Sequence, residues 1–304
     1  MKVAVLGAGA MGSLYGGKLS KVSDVYLIDI WKKHVEEINN NGLSIEEPDG
    51  TLEKFYPKAY EDSKGLPIMD VVIVFVKSIQ TGHAINLHKD IIGDKTILLS
   101  LQNGYGNDED MKAFADEDRI IMGTTSHGCT VKGPGHIFHA GSGDTIIGTY
   151  GKDLQNAYIV KELMNKAGFA VETNSNVKEI IVKKVIVNVG INPLTALLDV
   201  NNEQIALNDG LRNASEKLVK EAVSVFNAQG LNLDANSEWE HVLAVAKATG
   251  ANCSSMRADV LNKRKTEINS INGAVASLAN DMGLKAPANE LITDLIVALE
   301  NGYL

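Results

Sequence analysis

The segment VAVLGAGAMGSLYGGKL, beginning at Val3, constrains the fold more tightly than any other part of the chain. An apolar run that reads as a buried strand is followed by Gly7, Gly9 and Gly12 in G-x-G-x-x-G spacing, and then by a helical pattern. Glycines at these places permit a tight turn, let a pyrophosphate approach the main chain, and let helix and strand pack closely, with the helix N-terminus facing the phosphates. The spacing alone is weak evidence, because a packing turn in an ordinary β-α unit can also hold glycines. A second apolar run, VYLID, strengthens it by ending in Asp29, about where a ribose-binding carboxylate is expected. Gly7, Ala8, Gly9, Ala10, Met11 and Gly12 are therefore expected to line a dinucleotide. Asp29 favours the free ribose hydroxyls of NAD and repels the 2′-phosphate of NADP. Against this, Lys32, Lys33 and Lys77 lie nearby and are either phosphate ligands or solvated surface, so the choice stays open.

The first half of the chain continues this alternation. MDVVIVFVK and KTILLSLQNG read as strands buried on both faces of a parallel sheet, with helical patterns at Met11–Leu19 and Lys32–Asn39. GLSIEEPDGTLEKFYPKAY predicts a hairpin at a sheet edge, turning at Pro48–Gly50, and RIIMGTTSHGCTVKGPGHIFHAGSGDTIIG predicts further strands with tight turns. From about residue 178 the strand-like runs stop. Amphipathic patterns fill Val177–Leu198, Glu203–Gln229, Ser237–Thr249, Met256–Met282 and Ala288–Glu300. The expected class is α/β, with a Rossmann-like dinucleotide-binding domain at 1–175 and an all-helical substrate-binding and catalytic domain at 176–304, joined near VETNSNVKE.

A chain of 304 residues, 44% of them hydrophobic, can bury the cores of two such domains. The formal charge of −9, with no run of Lys and Arg, argues against nucleic-acid and membrane-surface partners, so an anionic ligand must be held by locally placed donors. Cys129 and Cys253 have neither metal nor redox spacing, which suits a reducing cytoplasm. Met1 leads straight into KVAVLG rather than into a signal-like segment, and no apolar run approaches 18 residues, so the expected location is cytoplasmic.

One apolar helix carries an unexpected pattern. In IVKKVIVNVGINPLTALL, Lys184, Asn188 and Asn192 recur at every fourth position, on one helical face. A single lysine or asparagine in such a helix most simply snorkels to water or bridges helices. Three at strict spacing among aliphatics suit the reduction of a 2-keto acid, in which negative charge develops on the carbonyl oxygen and a proton must be delivered there. Desolvation disfavours a charged lysine and moves its pKa toward neutrality, while carboxamides offer neutral donors that orient substrate.

With these residues in place, the chain resembles the ketopantoate reductases over almost its whole length. The resemblance rests on GAGAMG, VKSIQT, LQNGYGNDE, the GTTSHGCTVKGPGHIFHAGSGDTIIG segment, KKVIVNVGINPLTALL and NCSSMRADVLNKRKTEINSING. It implies NADP(H) as cofactor and a 2-keto acid as the small-molecule substrate, with Lys184 as general acid and Glu267 beside the nicotinamide ribose. It also implies substrate contacts from Asn103, Asn188, Asn192, Asn202, Asn252 and Ser255. Cofactor contacts are implied for Lys77, Gln80, Asn103, Glu267 and the backbone of Cys129, and a homodimer is the candidate assembly. Two positions depart from the pattern. Ile30, preceded by Asp29, stands where NADPH-using members commonly have arginine, which keeps NAD(H) open, and Glu203 follows Asn202 where glycine is usual.

Three rival readings follow. An NAD-dependent D-2-hydroxy-acid dehydrogenase of the same family, acting on branched or aromatic acids, keeps the mechanism and changes the substrate. A β-hydroxy-acid dehydrogenase also pairs a Rossmann domain with a Lys-x-x-x-Asn helix. A non-catalytic dinucleotide sensor needs the glycine loop alone. His127 is the fallback proton donor, while His34, His83, His88 and His241 read as surface residues. No His, Cys or carboxylate spacing suggests a metal, and Ser126, Ser142, Ser254 and Ser255 lack a G-x-S-x-G elbow. A straight helix from Ser255 to Glu267 would span roughly 18 Å, too far for one small substrate to touch both.

Overall fold

The computed structural model describes residues 1–304, which divide into two compact units: 1–102 with 107–180, and 103–106 with 181–304. The first unit opens with β1 (Lys2–Leu6), α1 (Ala10–Leu19), β2 (Asp24–Ile28) and α2 (Lys32–Asn41). It continues with β3 (Leu43–Glu46), β4 (Leu52–Phe55), β5 (Lys58–Tyr60), β6 (Val71–Val74), α3 (Thr81–Leu87) and β7 (Ile97–Ser100). The last elements are β8 (Ile120–Thr125), β9 (Gly128–Gly133), β10 (His136–Gly141), β11 (Thr145–Thr149), α4 (Gln155–Lys166) and β12 (Val171–Thr173).

Eight strands make one sheet in the order β12-β11-β8-β7-β6-β1-β2-β5, parallel except where β11 meets β8. All four residues of β6 and of β7 are buried, as strands covered on both faces must be. The expected edge hairpin is different in detail. β3 and β4 do pair antiparallel, but they belong to a separate four-stranded sheet, β4-β3-β10-β9, in which β3 lies parallel to β10; only β5 joins the edge of the large sheet. Residues 43–46 and 136–138 are too far apart in sequence for local pattern to reveal that pairing. The VETNSNVKE joint is also partly structured, since its first three residues are β12.

Helix α1 lies between the two sheets, which explains its small residues. A Cβ on Gly16 would overlap Leu27 of the large sheet, and one on Gly17 would sit 3.0 Å from Leu43 and 3.1 Å from Ile45 of the small one. Tyr15 is wholly buried beside them. Its ring stacks on Phe169 with centroids 4.2 Å apart, and its hydroxyl lies 2.9 Å from Thr125 Oγ1 and 2.7 Å from Thr145 Oγ1. The phenol thus keeps its polar end satisfied while the ring fills the core.

The second unit is helical. Helix α5 (Val177–Leu198) begins in the first unit and continues into the second. After it come α6 (Gln204–Leu207), α7 (Asp209–Ala228), α8 (Ala235–Ala248), α9 (Ser255–Leu261), α10 (Asn272–Asp281) and α11 (Pro287–Asn301). Two expected helices are interrupted. Asn208 adopts extended geometry and its side chain accepts from the Leu211 N–H, so it caps α7 and separates it from α6. The Met256–Met282 pattern breaks after α9, where Lys263 takes a left-handed φ of 53° and the Arg264 N–H donates to the Asp259 carbonyl. Helix α5 passes the length and composition tests for a membrane span, yet 67% of that apolar window is buried within the protein, as a core helix would be.

Candidate active site

The glycine loop joins β1 to α1. Gly7 has φ +92°, a region that favours glycine, and a Cβ there would stand 2.8 Å from the Val76 nitrogen. A Cβ on Gly12 would collide with the Gly7 carbonyl oxygen. Gly9 differs, because a Cβ at Gly9 would meet nothing within 4 Å. Packing therefore requires Gly7 and Gly12, while the space above Gly9 lies at the N-terminus of α1, where a phosphate is favoured. These residues fit a dinucleotide pyrophosphate. Gly12 is buried, Gly9 exposed and Met11 partly buried.

A hydrogen-bond relay shapes the loop. The Gly135 N–H donates to His34 Nδ1 (2.9 Å), which assigns the ring proton to Nε2; that N–H faces Ser13 Oγ (3.1 Å), and the Ser13 hydroxyl donates to the Ala8 carbonyl (2.7 Å). The Ala8 N–H in turn donates to Asp29 Oδ2 (2.7 Å), and the Trp31 N–H donates to Asp29 Oδ1 (2.8 Å). Asp29 therefore sits just past the end of β2 while also fixing the loop. Ile30 beside it is 85% exposed, leaving no guanidinium at that place for a 2′-phosphate. Lys77 lies past the end of β6 rather than in the strand, one residue beyond the Val76 that abuts Gly7, and the exposed Gln80 closes the following turn onto the Lys77 carbonyl (2.8 Å).

Ser13 and His34 were not foreseen. His34 is wholly buried, stacked on Trp31 at 4.8 Å, and burial holds its pKa below the ordinary imidazole value. His88 is buried too, its Nδ1 lying 2.9 Å from Ser63 Oγ. Both correct the surface reading, whereas His83 and His241 are exposed. His127 lies in a chain of imidazoles: its Nδ1 is 2.9 Å from His139 Nε2, and His139 Nδ1 is 2.8 Å from Glu47 Oε2. Burial first, then His139 and Lys18, lower His127 to about 4, so at neutral pH it is uncharged and a poor proton donor. Burial also pushes the Cys129 thiol up to about 12, so it is a neutral thiol and not a reactive thiolate near pH 7.

In the second unit, α5 carries Lys184, Asn188 and Asn192 as the sequence spaced them. Lys184 as a residue is only partly exposed, and desolvation at its ammonium lowers its pKa to about 8 against the opposing pull of Glu267, which is 9% exposed. Asn188 is half-buried and Asn192 buried; the Asn192 amide reaches toward the exposed Ser255 hydroxyl at 3.5 Å. The Thr195 hydroxyl, one turn further, lies 2.8 Å from Ser254 Oγ. Asn202 joins the same neighbourhood: its Nδ2 donates to Thr249 Oγ1 (3.0 Å), its N–H donates to the carbonyl of the exposed Asn252 (3.3 Å), and its Oδ1 is buried without a protein partner.

The break between α9 and α10 means that no straight helix separates Ser255 from Glu267. Glu267 stands in an irregular stretch rather than twelve residues up a straight helix from Ser255, and its carbonyl accepts the Ser270 N–H at 3.0 Å. Ser270 anchors the loop that carries Asn103. Its carbonyl accepts the Tyr105 N–H at 2.9 Å, and Gly104, with φ +92°, approaches it so closely that a Cβ would lie 2.6 Å from the same oxygen. The second unit therefore gathers Lys184 with Glu267, Asn192 with Ser255, Asn202 with Asn252, and the Asn103 loop with the Glu267 segment.

A Rossmann-type unit followed by a helical unit with a desolvated lysine defines a dinucleotide-dependent oxidoreductase. Family models described as ketopantoate reductase PanE/ApbA and as its C-terminal part match residues 3–152 and 176–300. The chain belongs to the ketopantoate reductase family, NAD(P)-dependent oxidoreductases acting on 2-hydroxy acids. It is 38% identical over 303 residues to a 2-dehydropantoate 2-reductase of Pyrococcus horikoshii, covering 99% of this chain and 98% of that one. It is 34% identical to a 2-dehydropantoate 2-reductase of Halobacterium salinarum, covering 97% and 98%. Among solved structures, D-mandelate dehydrogenase with NADH and anilino(oxo)acetate matches with TM-score 0.94 at 28% identity, covering 100% and 99% of the two chains. A ketopantoate reductase of Ralstonia eutropha matches with TM-score 0.91 at 26% identity, covering 100% and 99%.

Proposed function

We propose that this chain acts in the cytoplasm as a 2-dehydropantoate 2-reductase, reducing ketopantoate to D-pantoate for pantothenate biosynthesis. Residues 1–175 hold the dinucleotide, and residues 176–304 hold the keto acid and the proton donor. The observation that carries the reading is Lys184, an ammonium poised near pH 8 by desolvation on a helix whose same face bears two carboxamides. The nicotinamide supplies the hydride. Lys184 gives its proton to the carbonyl oxygen as charge develops there, and Glu267 opposes desolvation so that the ammonium stays protonated near neutrality. Asn103, Asn188, Asn192, Asn202 and Ser255 orient the substrate with neutral donors, and the Gly7–Gly12 loop with Lys77 receives the phosphates.

A second reading is favoured by Asp29 with the exposed Ile30, and by the similarity to a D-mandelate dehydrogenase complexed with NADH: an NAD-dependent D-2-hydroxy-acid dehydrogenase. Steady-state rates with NADH and NADPH, each on ketopantoate and on phenylglyoxylate, separate the two. Higher kcat/KM on ketopantoate is expected, and preference for phenylglyoxylate would replace the first reading by the second. Placing a cation at the open position by Ile30→Arg is expected to raise kcat/KM with NADPH relative to NADH by about tenfold, from one added charge-assisted contact to phosphate. The gain should shrink as salt is added; an unchanged cofactor ratio would show that the 2′-position lies elsewhere.

A further inference from the structure

Helix α5 continues through Pro193, and a proline inside a helix leaves the carbonyl four residues earlier without its N–H donor while its ring pushes that carbonyl aside. Here that carbonyl belongs to Val189. Asn272, completely buried at the start of α10, donates its Nδ2 to the Val189 oxygen at 3.3 Å and to Asn289 Oδ1 at 3.0 Å. Asn289 Nδ2 donates onward to the Leu218 carbonyl (3.1 Å) and to Glu221 Oε2 (3.0 Å). Glu221 also accepts the backbone N–H groups of Ala288 and Asn289 at the start of α11, both at 3.0 Å. Each amide in this chain has its orientation fixed by the next. Helices α7, α10 and α11 are thereby linked to a single point, the gap in the ladder of α5.

The gap lies along the polar stripe. Lys184 and Asn188 precede Val189, and Asn192 lies in the turn between Val189 and Pro193 that the missing bond would have closed. The segment after the gap is tied to other partners: Thr195 to Ser254 (2.8 Å), and Asp199 to the Arg257 guanidinium (2.8 Å). The next carbonyl, Gly190, receives the Ser215 hydroxyl at 2.7 Å, and a Cβ on Gly190 would press within 2.9 Å of Val219, Ser215 and Val242. Pro193 deprives only the Val189 carbonyl of its backbone donor, and the Ser215 hydroxyl adds a side-chain donor at the neighbouring carbonyl.

We propose that Asn272 is a positioning residue for the reaction: a side-chain substitute for the N–H that Pro193 lacks, which sets the Asn192 end of the stripe relative to the Lys184 end. The inference rests on the reading of this helix as the substrate-binding one. Loss of Asn272 should therefore weaken substrate binding while leaving the proton donor in place. That loss should matter less to substrate binding once the backbone donor is restored.

The test is a double-mutant cycle of Asn272→Ala and Pro193→Ala in the full-length protein, read by steady-state kinetics on ketopantoate and by Tm. Asn272→Ala alone is expected to raise KM about tenfold with kcat within about threefold, the signature of lost ground-state binding. In the Pro193→Ala background the same change should move KM by less than about threefold and lower Tm by less than it does alone, because the two substitutions touch one interaction. Equal effects of Asn272→Ala in both backgrounds, or a fall in kcat with KM unchanged, overturn the proposal. Should Asn272→Ala not fold, Asn272→Leu keeps the volume without the donor. Folding of either variant only in the Pro193→Ala background supports the proposal, and failure of both in both backgrounds overturns it by assigning Asn272 to the Asn289 network alone. If the wild type itself does not reduce ketopantoate, the functional reading fails, and the Tm cycle still decides whether Asn272 serves the break.

Discussion

Replacing Lys184 by alanine is expected to lower kcat for 2-keto acid reduction by roughly 10²- to 10⁴-fold, the usual loss when one general acid is removed. Dinucleotide affinity should be nearly unchanged, since Lys184 lies outside the glycine loop. Wild-type kcat in this variant would show that the proton comes from elsewhere. The pH profile gives an independent check. With its pKa lowered to about 8, Lys184 carries its proton below that value and loses it above. Reduction should therefore decline above about pH 8, while oxidation of the 2-hydroxy acid, which needs the free amine, should rise through the same range. Lys184→Ala should abolish both limbs. The stability sign is opposite to that of an ion pair. Because the folded pKa lies below the unfolded one, the unfolded chain binds more protons between about pH 8 and 10.4, and stability rises with pH across that window. Lys184→Met should accordingly raise Tm at pH 7 while removing activity, the trade expected where a charge is kept dry for chemistry.

The second large effect concerns the glycine loop, where two neighbouring substitutions should behave differently. Gly12→Ala drives a methyl into the Gly7 carbonyl, so α1 must shift, at a cost of about 1–3 kcal/mol in stability. It should also weaken NAD(P)H binding, measured by fluorescence titration, by at least about tenfold. Gly9→Ala meets open space, so its Tm should stay within the range of ordinary surface changes while cofactor affinity still falls about tenfold. Full cofactor affinity in Gly9→Ala would mean that the space above Gly9 is not where the pyrophosphate lies.

How far the sequence revealed this depends on the range of the interactions involved. The strands β1, β6 and β7 and the helix α5 were legible because their signals are local: continuous apolar runs, three glycines, and polar residues at a four-residue period. The four-stranded sheet was not legible, since β3 pairs with β10 across about ninety residues and its strands look like any short edge hairpin. The burial of His34 was hidden for a related reason. Its partners, Ser13 and Gly135, come from different parts of the chain, so only the fold brings them to one imidazole. The gap between α9 and α10 was masked by good helical periodicity, which a left-handed Lys263 overrides. Pro193 stands plainly in the sequence, but nothing in the order of residues names Asn272 as the donor to the Val189 carbonyl.

Helix α5 precedes in the chain the helices that cover it, α7, α8 and α10 among them. As synthesis proceeds it therefore emerges as a bare segment with the length and apolarity of a bilayer span. Charged residues disfavour insertion, and the N-terminal part of this helix carries Lys178, Glu179, Lys183 and Lys184, followed by two asparagines. Lys184, proposed to hand a proton to a keto acid, thus also makes the segment a poorer bilayer span than its hydropathy alone would suggest.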